Sequence, residues 1–111
     1  MARNYVTEGK TLTLIAPRTV AAGAGMLVGA IFAVALADAA VGRPVEARRV
    51  EVFDLAKATG EAWTQGQLVY WDNTNFRVTT SASGNTMIGA ATQAQASADA
   101  VGRVLLTGRV G

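Results

Sequence analysis

The stretch that decides the fold is GAGMLVGAIFAVALADAAVG, from Gly23 to Gly42, and three structures compete for it. The uncharged window 19–37 is long enough to span a membrane, but its few bulky residues favour insertion by only about 3 kcal/mol. The glycines loosely resemble a dinucleotide-binding turn, yet no capped helix follows them. Large and small side chains alternate over residues 32–37, which is typical of a β-strand, and glycines weaken a helix. We therefore predict two strand segments bent near Gly29.

Composition limits the function classes open to this chain of 111 residues, which is long enough for one domain. Ten basic and eight acidic residues give a net charge of +2 without a charged run, which is too weak to indicate nucleic-acid binding. Cysteine and histidine are absent, which removes disulfides, thiolate chemistry and most zinc sites. The polar first ten residues do not have the pattern of a secretory signal, so we expect synthesis in a cytoplasm.

Short strands at roughly even spacing predict a mainly β fold, either a small single-domain β-barrel or a β-sandwich. Residues 1–10 are predicted to form an extended N-terminal arm, and residues 11–111 the single β domain. Within the domain, the apolar parity slips at Arg48-Arg49, which predicts a β-bulge or bend. Residues 90–100 are compatible with a short helix or a loose loop. The predicted strands occupy residues 11–14, 45–55, 68–71, 76–80, 87–88 and 104–106, with a hairpin turn at 72–75.

A faint internal similarity links two parts of the chain. VAAGAGMLV, from Val20, and WTQGQLV, from Trp63, both pass from a hydrophobic residue through glycine into Leu-Val. The similarity is explained equally well by a duplicated unit that leads from a turn into a strand and by coincidence.

The sequence offers no convincing catalytic group. Four aspartates, Asp38, Asp54, Asp72 and Asp99, fall mostly in predicted turns, where Asp bonds to the local backbone. The serines have no histidine to activate them, and the lysines do not lie in obviously apolar surroundings. We therefore predict that the protein is not an enzyme and that it has no catalytic, metal or cofactor site.

Partner contacts are predicted at Trp63 and in the arm. Trp63 lies in a polar loop, where it is either an interface anchor or a core residue. Asn4, Tyr5 and Val6 either are disordered or add as an edge strand to a neighbouring chain. The aromatic hairpin and Arg48-Arg49 are explained by simple packing and solvation, or by a stacking platform for single-stranded nucleic acid.

Several segments together resemble a family of small phage and prophage proteins regarded as capsid cement or head decoration proteins. Where members of that family often have Gly before Val-Phe and Pro after Phe-Asp-Leu, this chain has Glu51 and Ala56. The matching segments are NYVTEGKTL at 4–12, LVGAIFAVA at 27–35, VFDLAK at 52–57, WTQGQLVYWD at 63–72, VTT at 78–80 and GNTMIG at 84–89.

The resemblance implies a mainly β structural subunit that binds the outside of an assembled head, bridges neighbouring copies of the major capsid protein and stabilises the shell. It also implies a symmetric homo-oligomer, with a trimer favoured, that is made in the bacterial host cytoplasm and located on the virion surface. No membrane and no specific nucleic acid are expected as partners. The alternative is a small β-barrel module that binds nucleic acid or another ligand.

Overall fold

The computed structural model describes residues 11–108 and builds them from nine strands and no helix. The strands form two antiparallel sheets, in the orders β1-β4-β3-β2 and β5-β9-β8-β6-β7. The predicted mainly β fold is confirmed, while residues 1–10, the predicted arm, lie outside the described residues. The strands are β1 (Thr11–Ile15), β2 (Gly25–Val28), β3 (Ile31–Ala35), β4 (Pro44–Arg48), β5 (Val50–Ala56), β6 (Leu68–Asp72), β7 (Arg77–Thr79), β8 (Thr86–Ala91) and β9 (Val101–Thr107).

The deciding stretch forms the β2–β3 hairpin, with Gly29 and Ala30 as its two-residue turn between paired Val28 and Ile31. The predicted bend near Gly29 is thus a full reversal of the chain. Four consecutive residues of β3, 32–35, are buried, so both faces of this strand lie against protein. A strand buried on both faces needs a continuous apolar run, which explains why the segment has the hydropathy of a membrane span. In the part of the chain described, no helix has the length and apolar character that a membrane crossing requires.

The predicted slip at Arg48-Arg49 is the crossing between the two sheets. β4 ends in the first sheet at Arg48, and β5 begins in the second at Val50. The predicted hairpin is also present, since β6 pairs with β7 around a turn in which Asp72 accepts hydrogen bonds from the Thr74 and Asn75 amides. After β8 ends at Ala91, the chain forms a loop rather than a helix up to β9.

The two sheets are two copies of one structural unit. In the first repeat, residues 11–48, Val20 forms an isolated bridge with Ala39, and in the second repeat, residues 50–107, Trp63 forms the same bridge with Gln95. The strand orders correspond when β1, β2, β3 and β4 are matched to β5, β6, β8 and β9. The faint sequence similarity is therefore a real structural duplication around the glycine, although the Leu-Val letters themselves do not superpose.

Turn geometry and hydrogen bonds repeat as well. Gly23 and Gly66 have φ values of +88° and +85°, in the left-handed region that favours glycine. The Gly23 amide donates to the Ala35 carbonyl at 2.8 Å, and the Gly66 amide donates to the Ala91 carbonyl at 2.7 Å. Three further amide-to-carbonyl bonds of the first repeat recur in the second. In the first repeat, the amides of Ala35, Leu36 and Ala16 donate to the carbonyls of Ala24, Glu46 and Arg43, respectively. In the second repeat, the corresponding amides of Ala91, Thr92 and Lys57 donate to the carbonyls of Gln67, Arg103 and Ala100.

Each repeat buries the same set of positions with side chains of different size. The first repeat uses mostly alanine, and the second combines tryptophan with glycine. Val20 and Val45 of the first repeat correspond to Trp63 and Gly102 of the second, where a Cβ on Gly102 would lie 2.2 Å from the Trp63 ring. Ala16, Val20, Met26, Ala33, Ala35, Val45 and Ala47 correspond in order to Lys57, Trp63, Val69, Gly89, Ala91, Gly102 and Val104.

Strand β7 has no counterpart in the first repeat. In the second repeat it closes the curl of the sheet, because the Ala58 amide donates to the Val78 carbonyl at 2.8 Å. The position that corresponds to Ala58 is Pro17, which has no amide proton to donate. The Arg18 guanidinium instead donates to the Gly25 carbonyl on the edge of β2, at 2.8 Å. The second sheet is thus a curled half-barrel, whereas the first stays open.

The size relation between Trp63 and Gly102 gives a test of the repeat. We expect Trp63→Val and Gly102→Val each to lower the free energy of unfolding by about 3 kcal/mol, the first by leaving a cavity and the second by overpacking. The double variant recreates the valine pair of the first repeat, so it should be more stable than the sum of the single changes by about 1 to 3 kcal/mol. Denaturant unfolding of the four proteins measures this coupling.

Gly89→Val supplies the control, because a Cβ on Gly89 would lie 2.0 Å from the Leu105 carbonyl oxygen, which is backbone. Trp63→Val should not rescue it. Additive losses for the Trp63 and Gly102 changes would contradict the size relation.

Glu51 has a φ of +85°, a conformation that costs a residue with a Cβ about 1 kcal/mol or more. Its carboxylate lies 2.8 Å from the guanidinium of the partly buried Arg48, but Glu51 itself is exposed, so the pair contributes little. We expect Glu51→Gly to raise the free energy of unfolding by about 0.5 to 1 kcal/mol, net of the greater freedom of glycine in the unfolded chain. Glu51→Ala loses the same ion pair and keeps the Cβ, so a melting temperature for the alanine variant equal to that of the glycine variant would refute the strain.

Candidate docking surface

The structure places Trp63 in the core, so the interpretation of this residue as an exposed loop anchor is wrong about its position. Its side chain is 2% exposed, and its ring occupies the space left by Gly102. The backbone of Trp63 exchanges hydrogen bonds with Gln95, which fixes the polar loop against the next one. The other predicted contact residues, Asn4, Tyr5 and Val6, lie outside the described residues.

The aromatic residues do not form a stacking platform. Trp71 is buried and its indole nitrogen donates to the Asn73 side chain at 3.0 Å. Phe76 is 40% exposed, but the Arg18 guanidinium lies 4.0 Å from the centre of its ring. Burial lowers the pKa of Arg18 below its ordinary value. This arrangement ties the first repeat to the turn of the second, and with Trp63 and Trp71 buried, the described aromatic residues offer no row of free rings for bases.

Asp38, Asp72 and Asp99 accept backbone hydrogen bonds in or beside turns, as predicted, whereas the fourth aspartate, Asp54, lies within strand β5. Asp38 accepts from the Ala22 amide at 2.8 Å, and Asp99 accepts from the Ala96 amide at 2.9 Å. A shallow concavity of about 520 Å³ around Asp38 and Val20 contains no second charged side chain. Within residues 11–108, no three acidic side chains converge in a way that could hold a metal ion. The described surface therefore shows no converging set of groups for acid-base or metal chemistry.

A continuous apolar row crosses the outer face of the second sheet. Val52 faces Leu105, Leu105 faces Ala90 and Ala90 faces Leu68, so the row runs over β5, β9, β8 and β6. Val52, Leu105 and Leu68 are 49%, 48% and 52% exposed. We call these four residues the outer row. Contiguous exposed apolar side chains of this kind mark an interaction surface more often than isolated ones do.

Charged residues border the outer row on one side. Asp54 and Arg103 face each other across β5 and β9, and the Arg103 Nε donates to Asp54 Oδ1 at 2.8 Å. This hydrogen bond lowers the pKa of Asp54 and raises that of Arg103. Beyond the pair, Ala56 faces the 52% exposed Val101. An apolar strip bordered by a satisfied ion pair has the layout of an interface core with a polar rim.

Sequence reasoning did not find the outer row. The sequence predicted a strand over residues 104–106, but it did not say which of its side chains face outward. In β9 the residues alternate between buried and exposed, so Leu106 points inward and Leu105 points outward. The signal that could have separated them was Arg103, which lies two residues before Leu105 and so shares its outer face.

Comparison with protein families identifies the chain. The model of a family described as phage cement protein matches residues 6–106, nearly the whole length. The chain therefore belongs to the phage cement proteins, as the resemblance of its motifs predicted. Comparison with curated proteins and with solved structures gives no match. The family is one of structural phage proteins.

The Asp54–Arg103 pair makes the outer face sensitive to acid. Because the folded pKa of Asp54 is depressed below 3.8, its stabilising contribution is full above that value and is lost as the pH falls through the folded pKa. We expect Arg103→Gln to raise the Asp54 pKa back towards its ordinary value, as measured by NMR titration of the carboxyl carbon. The stability difference between wild type and variant should shrink as the pH falls below about 3.8.

Arg77→Gln is the control, since Arg77 lies beside Asp72 and not Asp54. If the Asp54 titration midpoint is the same in the wild type and in Arg103→Gln, the ion pair does not lower the Asp54 pKa in solution.

Proposed function

We propose that this chain, as a member of the phage cement family, is a non-enzymatic subunit that binds the outer surface of the assembled head and stabilises it. The observation that carries the proposal is the family match over residues 6–106. The exposed outer row supports it, because a cement subunit needs apolar surface that becomes buried on a neighbour. The protein bridges adjacent copies of the major capsid protein and is made in the bacterial host cytoplasm before it reaches the virion.

Stabilisation follows from mass action. A subunit that binds the assembled shell and not its dispersed proteins lowers the free energy of the shell by RT ln(1 + [L]/Kd) for each filled site, which is about 2.7 kcal/mol at a free concentration 100 times Kd. Ordinary affinity per contact is sufficient, since many sites act together and a symmetric oligomer gains further from effective concentration. We propose a homo-oligomer, with a trimer favoured, because a trimer can engage three capsid subunits around one axis.

The arm completes this proposal. Residues 1–10 directly precede β1, which is an edge strand of the first sheet. Asn4, Tyr5 and Val6 carry a strand-forming sequence that can add to a sheet edge of a neighbouring chain through backbone hydrogen bonds, with Tyr5 in a side-chain pocket. Whether the neighbour is another copy or the capsid protein, the arm adds affinity without a role in folding.

Undecorated heads provide the test. The full-length protein should bind them and raise the temperature at which they rupture, whereas a variant that lacks residues 1–10 should keep its melting temperature but bind at least about 10-fold more weakly. Binding is measured by co-sedimentation and rupture by dye access to the packaged DNA. Heads already saturated with the protein should take up no more, which controls for non-specific adsorption.

Absence of binding and protection by the full-length protein would overturn the proposed function. Equal binding by the truncated protein would overturn only the role of the arm. Steeply salt-dependent binding to free DNA in place of heads would instead favour the nucleic-acid module.

A further inference from the structure

The first repeat contains a row of residues that corresponds to the outer row, at the same strand register. The contacts made by that row indicate how the outer row can be covered. Thr11 faces Arg48, Arg48 faces Val34 and Val34 faces Gly25. These positions correspond in order to Val52, Leu105, Ala90 and Leu68. The two rows are therefore the same face of the same unit, but they carry different side chains and have different surroundings.

Within the chain, the second repeat covers the Val34–Gly25 half of the row of the first repeat. Val34 is fully buried, and a Cβ placed on Gly25 would lie 2.8 Å from the Trp71 ring. Phe32, on the same face, lies 5.0 Å from Trp71 between ring centroids. The covering group is thus a large side chain at the end of β6, and the position it covers has no side chain.

The two corresponding surfaces that stay uncovered, one on each repeat, have the opposite relation between the sizes of their side chains. Leu68 takes the place of Gly25 and is exposed. Counted along the strand, Val28 takes the place of Trp71, five residues after the matched glycine of the turn, although the β6–β8 register shifts between Val69 and Tyr70. Val28 pairs with Ile31 beside the β2–β3 turn, and both are only half-buried. Inside the chain, the large Trp71 lies over the small Gly25. Between chains, the smaller Val28 of one copy can lie over the larger Leu68 of another.

We propose that the outer row packs against the Val28–Ile31 pair of a second copy of this chain, in a head-to-tail contact that continues the interface between the two repeats. The row has no charged side chain, so its burial leaves no unpaired charge, and Asp54 and Arg103 stay at the solvated rim. The inference deepens the proposed homo-oligomer and rests on it. The partner is a copy of this chain rather than the capsid protein because the chain itself already contains both halves of the contact.

A head-to-tail contact closes into a ring when the rotation between copies divides a full turn. Three copies of a chain with two repeats place six repeats in the ring. Contacts between the two repeats of one chain then alternate around the ring with contacts between neighbouring chains. In such a closed ring every outer row is covered by the Val28–Ile31 pair of the next copy, and the N-terminal arms bind the shell as proposed above.

The oligomeric mass gives the first test. By analytical ultracentrifugation the wild-type protein should sediment as a trimer, and Leu68→Glu should raise the concentration for half-assembly at least about 100-fold. Val41→Glu is the matched control, since Val41 is a 62% exposed apolar residue outside the outer row, and it should leave the mass unchanged. Equal unfolding temperatures of the dilute variants would confirm that the fold is retained.

Engineered cysteines give the second test, and the chain has no native cysteine to interfere. Leu68→Cys mixed with Val28→Cys should form a disulfide-linked dimer on mild oxidation, whereas each variant alone should not. Cross-linking of Leu68→Cys with itself would show a two-fold contact and overturn the proposal. A wild-type protein that stays monomeric but loses head binding on Leu68→Glu would assign the row to the capsid protein, overturning this inference while preserving the proposed function.

Discussion

The contact between the Trp71 ring and the backbone of Gly25 joins the two sheets into one structure. The ring approaches so closely that a Cβ on Gly25 would lie 2.8 Å from it, so only glycine is compatible with this packing. Burial of a tryptophan of this size is worth about 4 to 6 kcal/mol from the area it removes from water, as an upper bound. The first repeat depends on this contribution because its own buried cluster consists largely of alanines, which bury little area each. Without the second repeat, its β2–β3 hairpin would expose Phe32 and Val34.

Complementary changes in volume explain why the duplication is faint in the sequence and clear in the structure. A repeat conserves backbone geometry, so the matched positions share hydrogen bonds and left-handed glycines. Its core conserves total volume and not individual side chains, and valine with valine fills about the same space as tryptophan with glycine. Val20 with Val45 and Trp63 with Gly102 are two solutions to one packing problem. Identity at single positions is therefore a poor guide to duplication in a core built from small residues.

The same reasoning separates what the sequence could predict from what it could not. The strands, the aromatic hairpin and the bend at Arg48-Arg49 follow from local alternation and turn residues, because strand direction is set by neighbours in the chain. Trp63 was ambiguous, since a polar loop surrounds it and its partner Gly102 lies 39 residues further along. The outer row was missed because its four residues come from four strands, and register between strands is not visible in a single segment. Non-local contacts, rather than weak propensities, account for both failures.

A tandem repeat of sheets has a consequence for assembly that a single unit lacks. When the second repeat covers a face of the first, the chain keeps one uncovered copy of each surface: the outer row on the second repeat and the Val28–Ile31 pair on the first. Two complementary surfaces on one molecule favour association with further copies, provided that the contact between them is apolar and leaves no buried polar group without a partner. The described surface also lacks converging acidic groups that could hold a metal, and most of its aspartates are occupied by backbone amides or by an arginine. For the role on the head proposed above, the apolar outer row and the edge strand β1 provide specificity through shape and register.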